Sequence, residues 1–321
     1  MVHIKLTKIT ELMKLKRSNV MSTIVMSAKE CSSNVKNNTK TLCEEIKKTF
    51  NVNPTLAVVI VGDDPASKVY VRNKSKACDY IGANFEEITL PSDSKLDTVL
   101  STIQNLNQAP HIHGILVQCP IGNLSHSQTL EVFKAIDPRK DVDGFSPLNR
   151  ARLLTNSYEW YPYPCTPMGI YLLLDFYGIS VAEKHVTIIG RSDIVGKPLA
   201  CLLCNNNATV TLCHSKTNLE DLKECCQNSD IIISAVGKPK FVDSSFVGDR
   251  TRTIIDVGMN RDENGKLCGD VDFDSVKEIF DDRYNDNWLT PVPGGVGLMT
   301  VSCLMYNLVK CCERICENEG E

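Results

Sequence analysis

The feature that most constrains this chain is a run of three segments. His185-Val186-Thr187-Ile188-Ile189 leads straight into Gly190-Arg191-Ser192-Asp193-Ile194-Val195-Gly196-Lys197-Pro198, and then into Leu199-Ala200-Cys201-Leu202-Leu203. The first segment is β-branched and reads as a buried strand; the last is apolar at helical pitch. Strand, glycine turn and helix together make a dinucleotide-binding arrangement. The turn brings backbone N–H groups to a pyrophosphate, and the helix N-terminus adds partial positive charge there. The spacing is not G-x-G-x-x-G, because Ser192 holds the place of the second glycine and Gly196 falls late. Taken alone, such a turn is often only structural.

The following strand, residues 208–213, should lie beside the first. An enzyme that uses NAD usually carries an acid at that strand's end, where it accepts from the ribose 2′-hydroxyl. Here the tip reads His214-Ser215-Lys216-Thr217, with no carboxylate, and Arg191 faces it from the turn. Arginine, serine and lysine suit a 2′-phosphate, since a guanidinium pairs bidentately with phosphate. The expected cofactor is therefore NADP. The competing reading makes Arg191 a solvated surface charge.

The remaining alternation predicts the fold class. Helices are expected at 29–50, 65–81, 96–106, 130–136, 168–177, 196–204 and 218–226. Strands are expected at 56–61, 85–90, 112–117, 185–189, 208–213, 230–236 and 252–257. Strand–helix alternation of this kind makes α/β domains, each a mostly parallel sheet flanked by helices. The interval 145–165 lacks clear periodicity and reads as the domain boundary. With 321 residues, the chain has room for two domains.

Charge and cysteine usage exclude several classes. A net charge of −4 argues against general nucleic-acid binding. No apolar run approaches the ~18 residues of a membrane span. The 15 cysteines include the adjacent pairs Cys225-Cys226 and Cys311-Cys312, which cannot make a C-x-x-C site. They read as reduced, mostly buried small hydrophobes in a reducing compartment, and no metal is expected. Residues 1–20 carry five basic residues and one acid, Glu11. A mitochondrial presequence would favour arginine over lysine and avoid acids, so 1–21 reads as an extension and the expected location is cytoplasmic, with a mitochondrial one the alternative that the basic extension leaves open.

Three constellations stand in the first half. Tyr70 and Lys74 are four apart on one helix face. Gln118 ends an otherwise apolar strand, where ligands gather in open α/β sheets. Lys140-Asp141-Val142-Asp143-Gly144 carries two acids before a glycine. Singly, the first is usually a solvated helix face and the last a turn. Gln118 is harder to dismiss, because a strand-end amide after a buried run needs a partner.

In order, these motifs resemble the bifunctional methylenetetrahydrofolate dehydrogenase/cyclohydrolase family. The carriers are Y-V-R-N-K at Tyr70–Lys74, G-I-L-V-Q-C-P at Gly114–Pro120, K-D-V-D-G-F at Lys140–Phe145 and P-C-T-P at Pro164–Pro167. They continue with the Gly190–Pro198 stretch, C-H-S-K-T at Cys213–Thr217, V-G-K-P at Val236–Pro239, D-V-G-M-N at Asp256–Asn260, G-D-V at Gly269–Val271 and T-P-V-P-G-G-V-G-L-M-T at Thr290–Thr300. The resemblance covers residues 24 to the last helix. It implies a folate domain at 22–165, completed by a returning segment 293–321, and a Rossmann-like NADP domain at 166–292. It also implies folate in the cleft between them, a homodimer, and tetrahydrofolate one-carbon derivatives as ligands, with no nucleic acid and no membrane.

By the same resemblance, Lys74, Gln118 and Asp143 are catalytic. Tyr70, Pro293, Gly294 and Gly297 bind substrate with them. Gly190, Arg191, Ser192, Ile194, His214, Ser215, Val236, Gly237 and Gly258 hold NADP. Tyr70 would stack on the aminobenzoyl ring and Asp143 would accept from the pterin. Lys74 would shuttle protons for ring opening if burial lowers its pKa, with Gln118 orienting it. Leu298 departs from the family pattern, standing where proline is usual, and Cys119 stands where leucine is common. Two rivals remain: a monofunctional dehydrogenase, and a non-catalytic binding protein on the same fold.

Overall fold

The chain follows strand–helix alternation in two units. A computed structural model describes residues 23–319 apart from 284 and 285. The expected N-terminal extension, 1–21, lies outside the described residues.

In chain order the elements are β1 (Ile24–Val25), α1 (Lys29–Phe50), β2 (Thr55–Val61), α2 (Pro65–Ile81), β3 (Asn84–Leu90), α3 (Leu96–Gln108), β4 (Gly114–Val117), α4 (His126–Ala135), α5 (Pro147–Leu154) and α6 (Cys165–Phe176). They continue with β5 (His185–Ile189), α7 (Gly196–Asn205), β6 (Thr209–Cys213), α8 (Leu219–Gln227), β7 (Ile231–Ser234), β8 (Thr253–Asp256), β9 (Asn260–Arg261), β10 (Leu267–Cys268), α9 (Phe273–Asp281), β11 (Trp288–Leu289) and α10 (Val296–Glu319).

One unit comprises 33–165 and 301–321. Its sheet is three-stranded and parallel, in the order β3-β2-β4. Central β2, Thr-Leu-Ala-Val-Val-Ile-Val, is buried along its whole length, as a strand covered on both faces must be. Edge strand β3 alternates instead. One core layer gathers Val59, Val61, Ile103, Ile115, Val132 and Phe133. Leu304, Met305, Leu308 and Val309 of α10 are also buried. Helix α2 begins where Asp64 accepts from the Ser67 backbone N–H at 2.8 Å, with Pro65 in the first turn, and ends at left-handed Gly82.

The other unit comprises 166–300 together with residues 23–32. Its six-stranded sheet runs β1-β11-β8-β7-β5-β6, parallel throughout. Strands β5 and β6 are neighbours, as their sequence order suggested, with Ile189 level with Cys213. A second pairing, β9 with β10, is an antiparallel hairpin. Helix α9 closes the core with Val276 and Phe280.

Three expectations need correction. Residues 23–32 group with the nucleotide unit rather than with 33–165, because Ile24 and Val25 pair with Trp288 and Leu289 of β11. Residues 293–300 stay with that unit too; the returning segment begins at 301. The interval 145–165 is not irregular, since α5 lies in it, capped by Ser146 and opened by Pro147. Eight residues are too few to display a helical period, so only its Ser-Pro start was visible. Helix α4, which the apolar stretch 130–136 closes, starts at His126 through a Ser125–Gln128 capping box.

Helix α2 carries Tyr70 and Lys74, so its N-cap sets their platform. Asp64→Ala should lower stability by about 1 kcal/mol, read as a lower urea midpoint, and Asp64→Ser should restore most of it.

Candidate active site and nucleotide loop

Lys74 and Gln118 meet although 44 residues separate them. Lys74 sits on the third turn of α2. Gln118 follows β4 directly, held there by its own backbone N–H, which donates to Val59 O at 2.9 Å. Lys74 Nζ donates to Gln118 Oε1 at 2.6 Å, and Gln118 Nε2 donates to Cys119 O at 2.8 Å. The second bond fixes which way the amide faces: oxygen to the amine, nitrogen away. Burial lowers the Lys74 pKa below its ordinary value, and the nearby Asp143 charge opposes that.

Asp143 comes from the loop after β4 and α4. Burial pushes its carboxyl up to about 6, against the pull of Lys74. The two acids of Asp141-Val142-Asp143 divide their work. Asp141 is buried and accepts from the Phe145 and Ser146 backbone N–H groups and from Asn149 Nδ2 at 2.9 Å. It builds the loop, while Asp143 faces Lys74. Lys140, also buried, donates to the carbonyls of Leu106, Asn107 and Ala109, which close the end of α3.

Two residues of this site were not singled out by sequence. Asn307 of α10, fully buried, donates to Val142 O and Tyr163 O, each at 2.8 Å. Cys165 Sγ donates to Val142 O at 3.3 Å, and burial pushes its thiol far up, with the Asp143 charge adding to the effect. Asn307 had one signal, an amide on an otherwise apolar helix stretch. Tyr70, one turn before Lys74, is 41% exposed. Pro293, Gly294 and Gly297 belong to the other unit. There Gly294 takes a left-handed φ and its carbonyl accepts from the Ala28 N–H. Leu298 is exposed.

The nucleotide loop is tight in the way its glycines require. A Cβ on Gly196 would strike Gly190 O, and one on Gly190 would strike Ala235 O, so the turn needs bare backbone at both positions. Ser192 Oγ accepts from the N–H groups of Val195 and Gly196, capping α7. Arg191 and Ile194 are exposed, as are Ser215 and Lys216. The β5–β6 register puts Arg191 and Ser215 two residues past level partners, at the same sheet edge. His214 turns inward, its Nδ1 accepting from the Lys216 N–H at 3.2 Å. On the next loop, one Asp270 carboxylate accepts from the N–H groups of Val236, Gly237 and Lys238. Asp256 accepts from Gly258, Asp270 and Val271 N–H groups at 2.9 Å each, which links that loop to Gly258. Sequence did not identify either of these two acids as a loop organiser.

This arrangement offers a desolvated amine beside an amide and a carboxyl in one unit. In the other it offers a glycine turn with a basic, carboxylate-free rim. Known proteins are similar to this chain. Residues 26–143 match the family model for the tetrahydrofolate dehydrogenase/cyclohydrolase catalytic domain, and residues 164–316 match the model for its NAD(P)-binding domain. A relative named bifunctional protein FolD, from Agathobacter rectalis, is 44% identical over 290 residues, 90% of this chain and 99% of its own. The crystal structure of the bifunctional methylenetetrahydrofolate dehydrogenase/cyclohydrolase from Campylobacter jejuni superposes with a TM-score of 0.84 at 37% identity, covering 91% of this chain and 99% of its own. The dehydrogenase-cyclohydrolase from Trypanosoma brucei, solved with NADP and an inhibitor, gives 0.83 at 30% identity, covering 92% and 99%.

The raised Asp143 pKa has a signed consequence. Its native value, about 6, lies above the unfolded value near 3.8, so between those limits the folded chain binds more protons than the unfolded one. Stability contributed by this group is present at low pH and lost as pH rises through about 6. Comparing urea unfolding at pH 4 and pH 6, wild type should lose about 1–2 kcal/mol more than Asp143→Asn. Parallel stability–pH curves would show that Asp143 titrates normally.

Proposed function

The chain belongs to the tetrahydrofolate dehydrogenase/cyclohydrolase family, and on that premise we propose that it oxidises 5,10-methylenetetrahydrofolate with NADP⁺ and hydrolyses the methenyl product to 10-formyltetrahydrofolate. The observation that carries this reading is the Lys74–Gln118 hydrogen bond beside Asp143.

NADP⁺ supplies the hydride acceptor when bound. The residues fit it: the Gly190–Gly196 turn admits close backbone approach, and the rim lacks the acid that a free 2′-hydroxyl would want. Gly190, Arg191, Ser192 and Ile194 would hold it from the turn, His214 and Ser215 from the strand tip, and Val236, Gly237 and Gly258 from the neighbouring loops.

Oxidation removes hydride from the one-carbon bridge and leaves a cation delocalised over two nitrogens. No strong acid is needed, so the protein's task there is positioning. Ring opening asks for more. Water adds to the bridge carbon and its oxygen loses both protons, one to solvent with the cation's charge and one to the departing ring nitrogen as that nitrogen's bond to carbon breaks. Lys74 suits both transfers, because desolvation brings its pKa down from 10.5 and Gln118 Oε1 holds one N–H so that the amine points one way. Asp143 presents carboxyl oxygens to the pterin N–H donors, and Tyr70 offers its exposed ring to the aminobenzoyl group. Pro293, Gly294 and Gly297 complete the folate contacts. By extension from the family, the protein acts as a homodimer in the cytoplasm. Among the described residues, no helix is long and apolar enough to cross a membrane.

Lys74→Met keeps the stem and removes the amine. Cyclohydrolase turnover should fall about 10²- to 10⁴-fold while NADPH formation persists in part, seen as methenyl-folate accumulating during oxidation. Undiminished ring opening would remove Lys74 from the proton transfers. Arg191→Ala should raise KM for NADP⁺ about tenfold or more over its effect on NAD⁺, for a lost charge-assisted phosphate contact of about 1.5–3 kcal/mol. Equal losses with both cofactors would remove Arg191 from the 2′ site.

A further inference from the structure

A second cluster of chemically capable side chains lies away from both sites. One ligand-type atom each of His113, Cys312 and Cys316 falls within 4.8 Å of the others. Cys312 and Cys316 are four apart on α10 and so share a face. His113 comes from far upstream, as the residue before β4. Its ring and the Cys312 sulfur are buried, while Cys316 is partly exposed and gives access from solvent. His113 and Gln118 bracket β4 at opposite ends. At ~3.3 Å per residue the cluster sits roughly 16 Å along the strand from the Lys74 site.

The chemistry is selective. Two thiols and an imidazole offer soft and borderline donors and no oxygen, which rejects magnesium and calcium and favours d10 metals. Metal–sulfur bonds of about 2.3 Å place two sulfurs on one ion ~3.7 Å apart at a tetrahedral angle and ~4.6 Å apart when linear. A spread of 4.8 Å therefore closes with small side-chain movements. The Thr55 backbone N–H donates to His113 Nδ1 at 3.2 Å. That bond orients the ring and leaves its proton on Nε2 in the neutral form.

We propose that Cys312 and Cys316 bind one thiophilic d10 cation through their two sulfurs, with His113 as the third group around it. Binding breaks two S–H bonds, forms two metal–sulfur bonds and releases two protons to solvent. His113 keeps its Nε2 proton and donates it toward a bound thiolate, orienting that ligand from behind. The site is independent of the folate and NADP reading, since it uses none of those residues.

Cadmium is the probe, because its thiolate complexes absorb in the ultraviolet. The full-length reduced protein is titrated with Cd²⁺ while the sulfur-to-cadmium band is followed. Wild type should take up one tight equivalent that Cys316→Ser, altered at the partly exposed position, binds roughly 100-fold more weakly or loses. His113→Gln should weaken the same equivalent about 10- to 100-fold. Retained dehydrogenase activity shows that each variant is folded. If wild type and Cys316→Ser take up the same equivalents with the same affinity, binding belongs to the remaining cysteines and the proposal fails. It fails equally if wild type binds no tight equivalent.

Discussion

The Lys74 site depends on keeping an ammonium group out of water beside a carboxyl that is itself desolvated. Burial alone would drive the amine neutral, and an exposed carboxylate alone would hold it charged. Here each group is displaced toward its neutral form by burial and toward its ionised form by the other. Burial and the partner's charge thus act on each group in opposite directions. The surrounding polar groups preserve that balance because they are committed elsewhere: Asp141 to its loop, Lys140 to the end of α3, and Asn307 to two carbonyls. None of them adds a further mobile charge beside Lys74.

The nucleotide unit follows a different logic. Its loops are shaped by carboxylates spent on backbone rather than on ligand. Asp270 gathers three successive N–H groups, and Asp256 ties the segment around Gly269 to the end of β8, so closely that a Cβ on Gly269 would collide with its carboxylate. Both of these carboxylates are buried. The exposed rim is left to Arg191, Ser215 and Lys216, which is the polarity that an anionic ligand needs.

Sequence patterning read the long, periodic elements well. Strand β5 and helices α1 and α2 lie where 185–189, 29–50 and 65–81 were expected, because burial on one or both faces writes a regular pattern. Short pieces without a period escaped: β1, β11 and α5. The site was legible in residue type but not in partnership. Gln118 announced itself as a polar end to a buried strand, yet nothing local said that Lys74 would be its partner. Asp141 and Asp143 look alike in a turn, and only the hydrogen bonds separate builder from site acid. His113 stands near Cys312 and Cys316 through the fold, since nearly 200 residues part it from them in sequence.

The chain's connectivity also has a consequence for biosynthesis. Each unit takes a piece from the opposite end of the polypeptide: β1 completes the sheet edge at β11, and residues 301–319 supply buried positions to the unit that begins at residue 33. The ribosome therefore delivers the whole β2-β3-β4 layer long before the helix that covers part of it, while β1 waits for β11. Neither unit can finish as an early, self-contained product of translation, although domains commonly fold as they emerge. The nascent chain must carry unfinished apolar surface until residues 301–319 leave the exit tunnel, which leaves that surface open to aggregation and to chaperones in the interval before they emerge.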